Sequence, residues 1–168
     1  MKKMFLSVIV GLMVIAGCEK QEALKIETEM IYEVAGMELG CPVESVNGPE
    51  KSVIGEWVVV KEITGILEPE PTINDYSCDT YKYLYRFRPD GTLIAGAASP
   101  YGIPGMYTYE FRLSPLNKIA EEPYTLIVRD EIEYACDIQR KGRILKLNGN
   151  YINNTYTTKN IRYFVRIK

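Results

Sequence analysis

Thirteen tyrosines, four cysteines and no histidine delimit the chemistry open to this chain. Without imidazole there is no Ser-His-Asp or Cys-His nucleophile, no His-based zinc or iron site, and no ordinary proton shuttle near neutral pH. The cysteines, Cys18, Cys41, Cys78 and Cys136, lack CxxC spacing, so thiolate metal ligation is not expected either. Carboxylates that fall close together, Glu121 with Glu122 and Glu131 with Glu133, occupy adjacent or alternating surface positions, which suit solubility better than acid–base work. The expectation is a protein with no catalytic residue, metal or cofactor, and not an enzyme. Binding remains, through phenols set at alternating positions with an ammonium beside them.

The first chemistry belongs to Cys18. Lys2 and Lys3 form a positive segment, and Met4 to Ala16 form an apolar run of 13 residues, too short to span a bilayer comfortably as a permanent helix. Residues 1–17 therefore read as a signal peptide. The run ends in Ile15-Ala16-Gly17-Cys18, which resembles the bacterial lipobox. That resemblance implies cleavage before Cys18, diacylation of its thiol and acylation of its new amino group with chains such as palmitate. Two or three chains anchor stably where one would not. The expected location is the bacterial cell envelope, with the outer membrane favoured and the face left open. The alternative is an ordinary secretory signal followed by a chance cysteine.

Removing Lys2 and Lys3 leaves 18 basic against 22 acidic residues, a charge of -4, with no basic stripe for nucleic acid. The length suits one domain plus a tail. Residues 18–52 read as a tether. Within it, Lys25 to Val34 alternate, with Ile26, Thr28, Met30, Tyr32 and Val34 on one face and Lys25, Glu27, Glu29 and Glu33 on the other, the spacing of an extra strand at the barrel edge or capping one end. Gly36, Gly40, Pro42, Asn47, Gly48 and Pro49 then mark irregular chain.

Residues 53–168 read as a succession of short strands. The first, 53–63, holds the only tryptophan, Trp57, in a β-branched run; the others are expected at 80–88, 92–97, 106–113, 124–129, 132–139, 143–148 and 161–167. Pro89-Asp90-Gly91 and Lys141-Gly142 are tight turns, whereas three connections on the opposite end are long. Eight strands with that asymmetry predict an all-β, antiparallel, up-and-down barrel with one closed end and one loop-fringed mouth.

Gly55-Glu56-Trp57, then Phe87-Arg88-Pro89-Asp90-Gly91-Thr92, then a Tyr-rich meander ending in Arg162 and Arg166, resemble the lipocalin-like domain of small bacterial lipoproteins of the Bacteroides type. The resemblance implies that Trp57 sits at the closed end beneath Arg162 or Arg166 in cation–π contact. With Lys168 directly after the last expected strand, the helix that usually follows it in such domains is not expected here. A second likeness, Asp130-x-Ile132-x-Tyr134-x-Cys136 with Trp57 and Cys41 upstream, is to immunoglobulin-like β-sandwiches. Pro42 beside Cys41 and two strands after Cys136 count against it.

If Trp57 points inward, alternation sends Val59 and Lys61 inward too, and places Lys61, Tyr81, Tyr83, Tyr107, Tyr109 and Tyr134 around the mouth. Such a ring suits a small hydrophobic or amphipathic ligand held between aromatic faces. The competing expectation is a barrel filled by its own side chains, with Tyr76, Tyr101, Tyr151 and Tyr156 in loops gripping an envelope protein or inhibiting a protease. Cys41, Cys78 and Cys136 allow one disulfide in three ways; with Cys136 on an apolar face, Cys41–Cys78 is preferred.

Overall fold

A computed structural model of the chain describes residues 25–96, 104–114, 122–129, 132–149 and 160–168. Cys18 and the signal segment lie outside them, as do Tyr101, Tyr151 and Tyr156. The strands are β1 (Thr28–Val34), β2 (Met37–Val46), β3 (Gly55–Thr64), β4 (Thr72–Asp75), β5 (Leu84–Phe87), β6 (Thr92–Ala95), β7 (Gly105–Leu113), β8 (Tyr124–Val128), β9 (Ile132–Gln139), β10 (Ile144–Gly149) and β11 (Asn160–Arg166). From β5 to β11 each strand pairs antiparallel with the next, and β11 returns to pair with β3, which pairs with β5. The result is a closed eight-stranded up-and-down barrel, and closure excludes a two-sheet sandwich. β4 is an addition. It pairs with the upper half of β3 (Lys61↔Asp75 to Thr64↔Thr72), while β5 takes the lower half (Gly55↔Phe87 to Val58↔Leu84).

β3 explains why its sequence is apolar without alternation. Trp57 and Val59 join the barrel interior with Tyr85, Phe87, Leu93, Leu126, Leu145 and Phe164. Val58 and Val60 join a second cluster on the outside with Ile144, Tyr163 and Val165, covered by Ile31, Val34 and Val43. A strand buried on both faces has no polar face to alternate with.

The cover is the β1–β2 hairpin, which differs from the expected tether. β2 is a strand despite Gly40 and Pro42. Between the pairs Ile31↔Val43 and Glu33↔Glu38, Tyr32 faces the stretch Leu39 to Pro42, so both residues fall in a bulge where no regular ladder bond is needed. The strand expected over 25–34 is present from Thr28, but it neither extends the barrel edge nor caps an end, and the irregularity between Ile31 and Glu33 breaks its alternation, so that of the expected apolar face only Val34 is buried. Ile31 and Val34 are buried while Met30 and Tyr32 are exposed. Glu29 and Glu27 lie 3.3 and 3.9 Å from the buried Arg143 guanidinium, so the acidic residues meet the barrel instead of facing away from it.

The strand expected over 80–88 is also shorter than its pattern. Ser77–Lys82 form a 3-10 helix, begun where Asp75 Oδ1 accepts from the Ser77 amide (2.9 Å) and hydroxyl (2.6 Å). Cys78, on this helix, is bonded to Cys41 in the β2 bulge. The hairpin is thereby fastened to the barrel beside its open end, and Cys136 remains a free, buried thiol.

Candidate binding site at the open end of the barrel

The two ends of the barrel are chemically different. At the closed end, between the 88–91 and 140–143 turns, Trp57 is fully buried and its indole N–H donates to Val53 O at 2.7 Å. Arg166 stacks over the indole with Cζ 4.2 Å from the ring centre. Its guanidinium donates to the carbonyls of Gly142 (2.7 Å), Ile54 (2.6 Å) and Ser52 (2.9 Å). Burial pulls this guanidinium down to about 10. It is a plug, built from backbone acceptors and one aromatic face.

Arg162 does not share that role. It lies at the open end, where β11 begins and β3 ends, in register with Glu62. Its Nε and Nη2 each reach Glu62 Oε1 at 2.7 Å, and the Tyr76 hydroxyl donates to Glu62 Oε2 at 3.0 Å. The Arg162 side chain is 10% exposed and that of Glu62 15%. Burial, the largest single influence, lowers the Arg162 value, but the Glu62 charge, the Tyr134 and Tyr85 phenols and the hydrogen bond to Glu62 together outweigh it, and the net shift is upward. Burial, then the Glu62 charge, pushes the Tyr76 phenol up to about 12. Arg162 and Tyr76 therefore keep their ordinary neutral-pH forms. Tyr83 stacks on Tyr76 with ring centres 4.3 Å apart, and the buried Tyr85 and Tyr134 phenols act on the same guanidinium. Asn160, at the start of β11 on the rim side of Arg162, has a buried Oδ1 with no hydrogen-bond partner among the described residues.

Of the residues expected to ring the mouth, Tyr83, Tyr107, Tyr109 and Tyr134 belong to or pack against the interior. They are not one ring. Tyr134 is at the polar cluster, whereas Tyr109 meets Phe87 edge-on at 5.0 Å and donates to Arg88 O at 2.6 Å, beside a closed-end turn. Tyr107 lies under Arg129, 5.7 Å from its Cζ. Tyr81, carried by the 3-10 helix, is 74% exposed and faces away.

Lys61 is also misplaced by simple alternation. Tyr163 pairs with Lys61 but Phe164 pairs with Val59, so Val60 is an extra residue and the faces exchange there. Lys61 turns outward to Asp75 Oδ2 at 2.7 Å, and Glu62 turns inward in its stead. Asp75 also accepts from Gly40 N at 2.7 Å, so this pair fastens the hairpin, not a ligand. Burial pushes the Asp75 carboxyl up, but hydrogen bonds from Lys61, Ser77 and Gly40 outweigh it and hold it well below the usual carboxylate range.

Glu62 is therefore not expected from alternation, and Tyr76, expected as a loop tyrosine gripping a protein, instead bonds Glu62. The available signal was the Val58-Val59-Val60 run, in which a bulge is invisible because both faces are apolar.

The chain matches no protein-family model, no curated protein and no solved structure. Among the described residues no group of three or more Cys, Asp or Glu side chains is placed to hold a metal ion. No described helix is long and apolar enough to cross a membrane.

Proposed function

We propose that this chain is a lipid-anchored protein of the bacterial cell envelope whose barrel binds a small amphipathic molecule at its open end, as its resemblance to lipocalin-like lipoproteins implies. The observation that carries the reading is the largely buried Arg162–Glu62–Tyr76 cluster beside tyrosine rings. Apolar side chains of similar volume commonly serve stability as well as a buried ion pair or better. A polar cluster kept at the end opposite the Arg166–Trp57 plug is fitted instead to the head of an amphipathic guest, with aromatic faces for its body. Cys18 supplies the anchor, and the outer membrane is the expected location.

Thermal unfolding of the Cys18→Ser protein against fatty acids, isoprenoids, sterol-like and aromatic amphiphiles tests the reading. A ligand at 100-fold excess over its Kd adds about 2.7 kcal/mol of stability. At least one class should stabilise the protein, and Glu62→Leu/Arg162→Met should abolish the effect. No stabilisation by any class would contradict it.

One observation favours a second reading. β4 leaves an edge unpaired, and Ile73 on it is 53% exposed, with Leu67 (69%) and Tyr81 (74%) also exposed on the chain that flanks β4. An envelope protein could add a strand there. Capture of such a partner that survives the double variant but not Ile73→Lys would favour this reading over the first.

A further inference from the structure

The described chain begins at the closed end of the barrel. Asn47 accepts from the Glu27 amide through Oδ1 at 2.7 Å and donates to Lys25 O at 2.8 Å. Its own amide donates to Glu27 O at 3.1 Å, and Gly48 N donates to Lys141 O at 3.0 Å. Arg143, in the 140–143 turn, donates to Glu27 O at 3.1 Å. Residues 25–27 are thus pinned to the 47–48 segment and to the turn that plugs the barrel, on the side away from Arg162.

Only six residues, seven Cα–Cα steps, separate Cys18 from Lys25. They span at most about 25 Å, whatever their conformation. β3 has ten residues, and at about 3.3 Å each with a barrel tilt near 40° such a strand climbs roughly 25 Å from one end to the other. The mouth could reach a surface holding Cys18 only if the tether were drawn out fully along the barrel wall. Every shorter span keeps the mouth from facing that surface.

We infer that the closed end of the barrel lies against the lipid bilayer and that the open end points away from it. The inference rests on the acylation of Cys18 proposed above. The surface around the tether's root is compatible with a headgroup layer. Lys25, Lys51, Arg140 and Lys141 are exposed there, among Glu27 and Glu50, and Ile26 and Ile54 are 74% and 42% exposed. Lys25 and Lys51 make no ion pair among the described residues, so they are free for phosphate groups. The consequence is that a ligand enters from the aqueous side, or from a facing membrane, and not from the bilayer that holds the anchor.

Full-length protein, processed in cells and purified in detergent, is reconstituted into phosphatidylethanolamine–phosphatidylglycerol vesicles carrying a headgroup nitroxide. A thiol fluorophore is placed at Lys51→Cys or Ile73→Cys; the buried Cys136 and the bridged Cys41 and Cys78 do not react in the native protein. The expected result is severalfold stronger quenching at position 51 than at 73, and none at either in Cys18→Ser. Equal quenching, or more at 73, with an acylated mass on Cys18 overturns this orientation while leaving the anchor intact. A mass without acyl chains overturns both.

Discussion

Glu62 and Arg162 pose an energetic question that their geometry makes answerable. Removing one member of a buried pair leaves the other charged and unpartnered, at a cost of about 3–5 kcal/mol, whereas replacing both with apolar side chains is often neutral or stabilising. Glu62→Ala should therefore lower the urea midpoint by that order, and Glu62→Leu/Arg162→Met should restore it while ligand binding stays lost. A double variant as unstable as the single one would assign the pair to the fold instead. Two neighbours govern the limits of the pH range. Asp75 has a folded value below its ordinary 3.8, so the stability it adds is complete above that pH and drains away as pH falls toward the folded value. Tyr76 titrates near 12 in place of 10.0, so its contribution is complete below pH 10 and is lost as pH rises through 12. Urea midpoints measured against pH should lose part of their acid slope in Asp75→Asn and part of the slope between pH 10 and 12 in Tyr76→Phe. An unchanged slope in either would contradict the assignment. At this scale the sequence identified most inward tyrosines, since Tyr107, Tyr109 and Tyr134 follow strict alternation. It misdirected Lys61, because one extra residue at Val60 exchanges the faces and an apolar run hides that exchange.

The β1–β2 hairpin is the element that composition disguised. Gly40 and Pro42 mark breaks in most strands, yet here they occupy a bulge, and the acidic side of β1 faces the barrel because Arg143 waits there. The reason for the hairpin was nonetheless written in β3, where unbroken apolar residues require a cover on the outer face. Its fastening is the Cys41–Cys78 bond, which closes a loop of sequence separation 37. Chain-entropy arguments put such a bond at about 2–4 kcal/mol. Dithiothreitol, or Cys41→Ser/Cys78→Ser, should lower the melting temperature accordingly and speed proteolysis within residues 28–46 before the barrel opens. Simultaneous loss of hairpin and barrel would show them to be one cooperative unit. The 140–143 turn gives a sharper test of packing. Gly142 has φ +78°, and a Cβ there would stand 2.1 Å from Gly48 O. Gly142→Ala is expected to cost roughly 2 kcal/mol or more through strain and displacement of the plug, read as a shifted urea midpoint with the barrel's circular dichroism retained.

As a whole, the molecule is a barrel with one end plugged by Arg166 and Trp57 and the other lined by a polar cluster among tyrosines. Strand count, order and the two tight turns sufficed to foresee closure, because alternate connections must share an end. What occupies the open end is a property of assembled side chains, which no local pattern encodes. Native mass spectrometry of the Cys18→Ser protein made in the periplasm, compared with its mass after denaturation, addresses the central claim most directly. A small molecule retained by the folded protein, released on unfolding and absent from Glu62→Leu/Arg162→Met, is the predicted result. A bare mass for the folded protein, unchanged after incubation with each class of amphiphile, would contradict it.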